Sequence, residues 1–300
     1  MKNPATLFMA TRPQFLPATA VAVGLGASVA WHEARSFDMA VFALSMTAAL
    51  FCHAGMNTLN DYYDSKNGAD GLNRNALTPF TGGSRFIQNG LMTPGETLAL
   101  GAALVLAGSL IGIYLALTIS PVLFAIGLLG VASGYFYSAP PLFLAGRGFG
   151  ELTVGVTFGL LMVLGAYAAQ TGSIGAGPVV ASLPLTFLIA AILFVNEFPD
   201  FESDRAAGKR TIVVRLEPRR ARWGLVLILA MAYASVAAGV FLGPLPSGSL
   251  YAILTAIIAI PGALCLLRNY DRAGALIPAI KAMIAIHFFT GLIQIASNLA

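Results

Sequence analysis

Residues 60–70 read NDYYDSKNGAD. Three carboxylates, Asp61, Asp64 and Asp70, follow directly on residues 37–58, a run apolar enough to cross a bilayer. Charge of that density at the end of an oily helix needs a reason, and the rest of the chain supplies it.

The 300 residues are 57% hydrophobic and only 10% charged, with a mean hydropathy of +0.80. A soluble domain carries roughly 25% charged residues, so the composition reads as an integral membrane protein. The formal charge of +4 does not point to nucleic acid. Basic residues in so apolar a chain anchor cytoplasmic loops. Cys52 and Cys265 lie inside apolar runs and read as small buried side chains. Pro4, Pro13 and Pro17 interrupt the first apolar stretch, so no secretory signal is expected. One membrane domain over residues 1–300 is expected, with the lipid bilayer as its surroundings.

A spanning helix needs about 20 mostly apolar residues. The expectation is an all-α protein with nine transmembrane helices, at roughly 15–31, 37–58, 96–117, 121–137, 150–169, 179–195, 223–242, 249–267 and 278–297. With nine spans, 16 of the 17 Lys and Arg residues fall on one face, and only Arg35 lies opposite. The positive-inside rule then puts the N-terminus in the cytoplasm and Ala300 outside a cell membrane. The long loops share the basic face, so polar chemistry is expected there.

The opening motif has a second copy. Asn60-Asp61-Tyr62-Tyr63-Asp64 and Asn196-Glu197-Phe198-Pro199-Asp200 share the order Asn, acid, aromatic, any residue, Asp, offset by 136 positions. Four expected helices separate them. This predicts two parallel four-helix pseudo-repeats, approximately 10–140 and 146–270, plus one helix, around a central cavity open to the cytoplasmic side.

Helical spacing puts Asn60 and Asp64 on one face, and Asn196, Asp200 and Asp204 on another. Asp61 and Glu197 point about 100° away and suit a supporting role behind the ligands. Carboxylates with an Asn carbonyl suit Mg²⁺, which completes its shell with water and substrate phosphates. Arg85, Arg147, Lys209 and Arg210 are candidates to neutralise a diphosphate. His53, Asn57, Asn60 and Asp64 form a polar stripe on the second helix that should face a cavity. For His53, contact with a substrate competes with an interhelical hydrogen bond.

NDYYDSKNGAD, with NEFPDFESDRAAGKRT at 196–211, resembles the UbiA superfamily of intramembrane prenyltransferases. RPQFLP from Arg12, TGGSR at 81–85, YFYSAPP at 135–141 and RGFGE at 147–151 extend the likeness over nearly the whole chain. The resemblance implies Mg²⁺ and a polyprenyl diphosphate held by Asn60, Asp64, Asp70, Asn196, Asp200 and Asp204. It implies substrate contacts from Arg12, Asn57, Arg85, Arg147, Lys209, Arg210 and His53, with Asp64, Asp200 and Asp204 driving ionisation. Tyr62, Tyr63, Phe80, Tyr135, Phe136 and Tyr137 are the aromatic candidates near the cytoplasmic edge, of which Tyr135 is the candidate to stabilise an allyl cation, with anchoring at the membrane interface as the competing role for each.

Many members carry an Asp where this chain has Gly68, and a second Asn where it has Glu197. The longer first motif is similar to that of 1,4-dihydroxy-2-naphthoate prenyltransferases, which implies that acceptor and a place in menaquinone biosynthesis. Other aromatic acceptors, namely 4-hydroxybenzoate, homogentisate or a tetrapyrrole, and a secondary transporter built from repeats are the competing readings.

Overall fold

The computed structural model describes residues 3–300; Lys2, one of the basic residues counted above, lies outside them. The described residues hold helices and no β-strand. Eight helices are long and apolar enough to cross a bilayer: α1 (Pro13–Ala34), α2 (Met39–Asn67), α3 (Pro94–Thr118), α5 (Gly150–Thr171), α6 (Ala176–Ala206), α7 (Pro218–Phe241), α8 (Ser247–Asn269) and α9 (Ala273–Leu299). A shorter apolar helix, α4 (Val122–Ser138), has 17 residues. The fourth expected span, 121–137, is therefore a helix below the length of the other eight.

Local chemistry sets the helix starts. Asp38 caps α2 by accepting from the Val41 N–H at 3.0 Å. Thr93 and Glu96 form a capping box at α3, with Pro94 inside the first turn, where its missing N–H costs nothing.

Helices α2 and α6 differ most from the expected spans, at 29 and 31 residues. At 1.5 Å per residue each exceeds 40 Å, longer than the roughly 30 Å apolar slab. Their last turns therefore stand clear of the hydrocarbon. The expected ends at 58 and 195 mark where charge begins; the helices run on to Asn67 and Ala206. Pro199 lies inside α6 without ending it. Gly68, in the left-handed conformation, does end α2.

Helix α6 is the axis of the packing. Its most apolar window is 61% buried, against 17% for α2 and for α3. One core cluster joins Leu188, Phe194 and Phe198 of α6 to Leu225, Leu266, Met283 and Ile286 of α7, α8 and α9. A second joins Val21, Leu25 and Val29 of α1 to Val163 and Leu185. Outward-facing Leu106, Leu110, Leu117, Leu128 and Ile257 are exposed, as lipid-facing side chains must be.

Helix α5 meets α6 through small residues. Gly155 and Gly159 lie against Thr186, and a Cβ on Gly159 would come within 2.5 Å of the Thr186 Cα. This small-xxx-small spacing allows close helix contact. The segment Gly155–Leu161 is wound as a π-helix, and its residues return below.

Candidate functional site

The projecting ends of α2 and α6 enclose a polar cavity of about 230 Å³. Asn57, Asn60 and Asp64 line it from α2, and Asn196, Glu197, Asp200 and Asp204 from α6. Arg12, Asp70, Asn73, Gly82, Gly83 and Lys209 complete its wall. The two halves of the sequence motif thus face one space.

The loop 68–93 closes that space through its glycines. Gly82 and Gly83 both have positive φ, +72° and +74°. The Gly82 N–H donates to Asp200 at 3.3 Å, and the Ser84 N–H donates to Asp61 at 3.2 Å. A Cβ on Gly83 would lie 2.9 Å from Asp61 and 3.1 Å from the Arg12 guanidinium. TGGSR is therefore a backbone strap that reaches both acidic motifs, and a side chain at Gly83 would push it off.

Arg12 pairs with the Asp61 carboxylate and donates to Asn60 Oδ1 at 3.1 Å. The Asn60 amide donates to Asp64 at 3.0 Å and to Ser138 Oγ at 2.8 Å. Asn57 donates to the Thr11 carbonyl at 3.0 Å. Asp61 lies off the cavity wall, turned to Arg12 and the strap, whereas Glu197 lines the cavity beside Asp200. Glu197 accepts from the Val213 N–H at 3.3 Å and lies beside buried Glu151.

Lys209 joins the two halves. Its ammonium lies 2.9 Å from Asp64 and 3.5 Å from Asp204. Burial pulls its pKa down, but Asp64 and Asp204 outweigh that and hold it above the usual lysine value. Asp70 moves the other way: burial first, then the Asp64 charge, raises its pKa to about 7. Its side chain accepts a long hydrogen bond from Gln88 at 3.4 Å.

No group of three or more acidic, His or Cys side chains among the described residues already converges on one metal-sized point. The oxygen donors nevertheless fit a hard cation. Asn196 lines the cavity, and its Oδ1 is buried with no hydrogen-bond partner.

Several expected residues lie elsewhere. Arg85 turns into its own loop and donates to the carbonyls of Asp70 and Asn73. Arg147 is bonded to the Pro141 carbonyl at 3.0 Å, outside the cavity wall. Arg210 is exposed while its neighbour Lys209 is buried; successive residues in this turn face opposite ways. Tyr135 is 40% exposed and bonded to the Tyr63 hydroxyl at 3.1 Å. Tyr62, Tyr63, Tyr135 and Phe136 form an edge-to-face row off the cavity. Tyr137, two helical positions on and hence on the other side of α4, is the tyrosine that lines it, with Phe80. His53 makes the interhelical bond, Nδ1 to Thr19 Oγ1 at 2.7 Å, and also lines the cavity floor.

Sequence reasoning missed Asn73, whose amide donates to Asp200 at 2.6 Å, and Ser138. Neither sits in a repeated pattern. The Gly82 and Ser84 N–H groups were hidden in a segment read for its arginine.

Residues 18–289 match the UbiA prenyltransferase family. The 1,4-dihydroxy-2-naphthoate octaprenyltransferase of Bacillus subtilis is 32% identical over 76% of this chain and 70% of that protein. The 2-carboxy-1,4-naphthoquinone phytyltransferase of Synechocystis is 27% identical over 96% and 91%. A UbiA homolog from Archaeoglobus fulgidus, solved bound to DMAPP and Mg²⁺, superposes with a TM-score of 0.68 at 18% identity, covering 97% of this chain and 99% of that one. This chain is a multi-pass membrane protein and a prenyltransferase, and it belongs to the UbiA prenyltransferase family.

Proposed function

We propose that the protein transfers an isoprenyl group from a polyprenyl diphosphate to 1,4-dihydroxy-2-naphthoate, in menaquinone biosynthesis. The observation that carries this reading is the meeting of both acidic motifs and Lys209 in one cavity, above an apolar interior. The acceptor rests on the likeness to the Bacillus relative.

Asn60, Asp64, Asp70, Asn196, Asp200 and Asp204 would hold Mg²⁺, and the unpartnered Asn196 oxygen supports that assignment. When bound, Mg²⁺ offsets charge on a leaving diphosphate. Lys209 and Arg12 add fixed positive charge where that leaving group gathers its own. Breaking the C1–O bond leaves an allylic cation, and the Tyr137 and Phe80 faces can stabilise it. The acceptor ring carbon then bonds to C1 and releases carbon dioxide or a proton. The strap 81–85 and the loop around Lys209 roof the cavity and keep water from the cation.

The basic end of the bundle faces the cytoplasm in this reading, with nine spans in two parallel pseudo-repeats plus α9 and Ala300 outside. Labelled geranylgeranyl diphosphate, supplied to purified membranes with a panel of aromatic acceptors, tests it. Product with dihydroxynaphthoate alone is expected. Product with 4-hydroxybenzoate or homogentisate alone overturns the acceptor, and no product with any of them overturns the activity.

A further inference from the structure

Beneath the polar cavity lies a second one of about 320 Å³, lined mainly by apolar side chains of α2, α3, α4 and α5. Three of its glycines do not serve helix contact. A Cβ on Gly112, Gly127 or Gly130 would meet nothing within 4 Å, so these residues leave open space. Ile113 of α3 and Leu128 of α4 line this cavity and are also 41% and 59% exposed, so it opens sideways toward lipid.

The two cavities share five lining residues: His53, Met56, Gly134, Thr157 and Phe158. One side of this ring is fixed. The His53 bond to Thr19 holds the imidazole, and Phe158 packs on it with centroids 4.4 Å apart. Thr157 and Phe158 belong to the π-helical segment of α5, a feature that often marks functional sites. The other side is soft. Met56 has a flexible thioether, and a Cβ on Gly134 would lie 2.9 Å from Met56 Cγ and 3.0 Å from its Sδ.

We propose that Met56 and Gly134 form an adjustable aperture against His53 and Phe158, and that it selects donors by what must pass through it. The inference rests on the prenyl-transfer reading. The occupant is the donor's hydrocarbon chain, since the aperture links the charged cavity directly to an apolar one. Met56 lies four residues from Asn60, about 6 Å along α2. The first isoprene unit therefore reaches the aperture, and every further unit passes it. Gly134 leaves the room into which Met56 withdraws, so a side chain there drives Met56 into the passage.

The test compares kcat/KM for geranylgeranyl and dimethylallyl diphosphate in membranes carrying wild type, Gly134→Val, and Gly134→Val with Met56→Ala. A ratio taken within one variant cancels loss of folded protein. Gly134→Val should lower the long-to-short ratio about tenfold or more, the scale of one misfitted apolar group, and adding Met56→Ala should restore most of it. Equal losses with both donors, or no rescue by Met56→Ala, overturn the aperture. Wild-type membranes that prenylate nothing would instead overturn the function it rests on.

Discussion

The motifs at the ends of α2 and α6 are copies in sequence but not in bonding. On α2, Asn60 has both ends of its amide engaged, and Asp64 accepts from Asn67 at 3.0 Å and meets Lys209. On α6, Asn196 leaves its oxygen without a partner, while Asp200 is tied to the opposite half through Asn73 and Gly82. One cluster has its asparagine fully bonded, within its own helix and to Arg12 and Ser138, and meets the other half only through Lys209. The other anchors the roof and leaves one amide oxygen unpartnered. Identical spacing thus yields two jobs, because each motif meets a different loop.

The largest effects should fall on the shared function of the two. Asp64→Ala and Asp200→Ala are each expected to cut prenyl transfer about a thousandfold or more, at the upper range for losing one charge-stabilising group. They should differ in a second measurement. Asp200→Ala frees the 81–85 strap and Asn73, so limited proteolysis in the 68–93 loop should accelerate, whereas Asp64→Ala should leave cleavage near wild type. Equal cleavage would erase the distinction drawn here. Lys209→Met comes next, at about a hundredfold in kcat, because it removes the cation that joins Asp64 to Asp204. Lys209→Arg should recover part of the loss.

Smaller effects separate the two asparagines. Asn196→Ala should weaken Mg²⁺ binding about tenfold with little change in thermal stability, since its oxygen has no protein partner to lose. Asn60→Ala strips hydrogen bonds from Arg12, Asp64 and Ser138, so it should lower the melting temperature as well. Asp70 gives a pH test of the same comparison. Its raised pKa, about 7, keeps it neutral below that value and a carboxylate above it. Mg²⁺ affinity should therefore rise as pH passes upward through about 7, and Asp70→Asn should flatten the rise. A rise left undiminished by the substitution removes Asp70 from the ligands.

Much of this was legible because membrane helices write simple rules. Apolar length located the spans, and the recurrence of Asn60–Asp64 at Asn196–Asp200 located the cavity. The failures have physical causes. Helix ends were read where charge starts, yet α2 and α6 continue because their last turns line a polar space. Tyr135 was chosen over Tyr137 because proximity in sequence does not say which side of α4 faces inward. The strap escaped notice since its working parts are backbone N–H groups, which every residue but proline carries. Of the loop cations expected to meet a diphosphate, Lys209 alone lines the cavity, as Arg85, Arg147 and Arg210 bond elsewhere or face outward.

That last contrast yields the smallest effect. Arg210 follows Lys209 directly, yet its N–H donates to the Gly146 carbonyl at 2.8 Å and its side chain is exposed. Arg147 is likewise held at the surface by the Pro141 carbonyl. A guanidinium in water, separated from the leaving group by the cavity wall, is screened within about 10 Å at ordinary salt. Arg147→Ala and Arg210→Ala should each change kcat by less than about threefold, far below Lys209→Met. Any effect they have should appear in KM for the diphosphate donor and fade as salt is raised, since a surface cation acts on encounter. A salt-independent loss in kcat would mean that these arginines swing into the cavity with substrate, and the division between inward Lys209 and outward Arg210 would hold for the empty site alone.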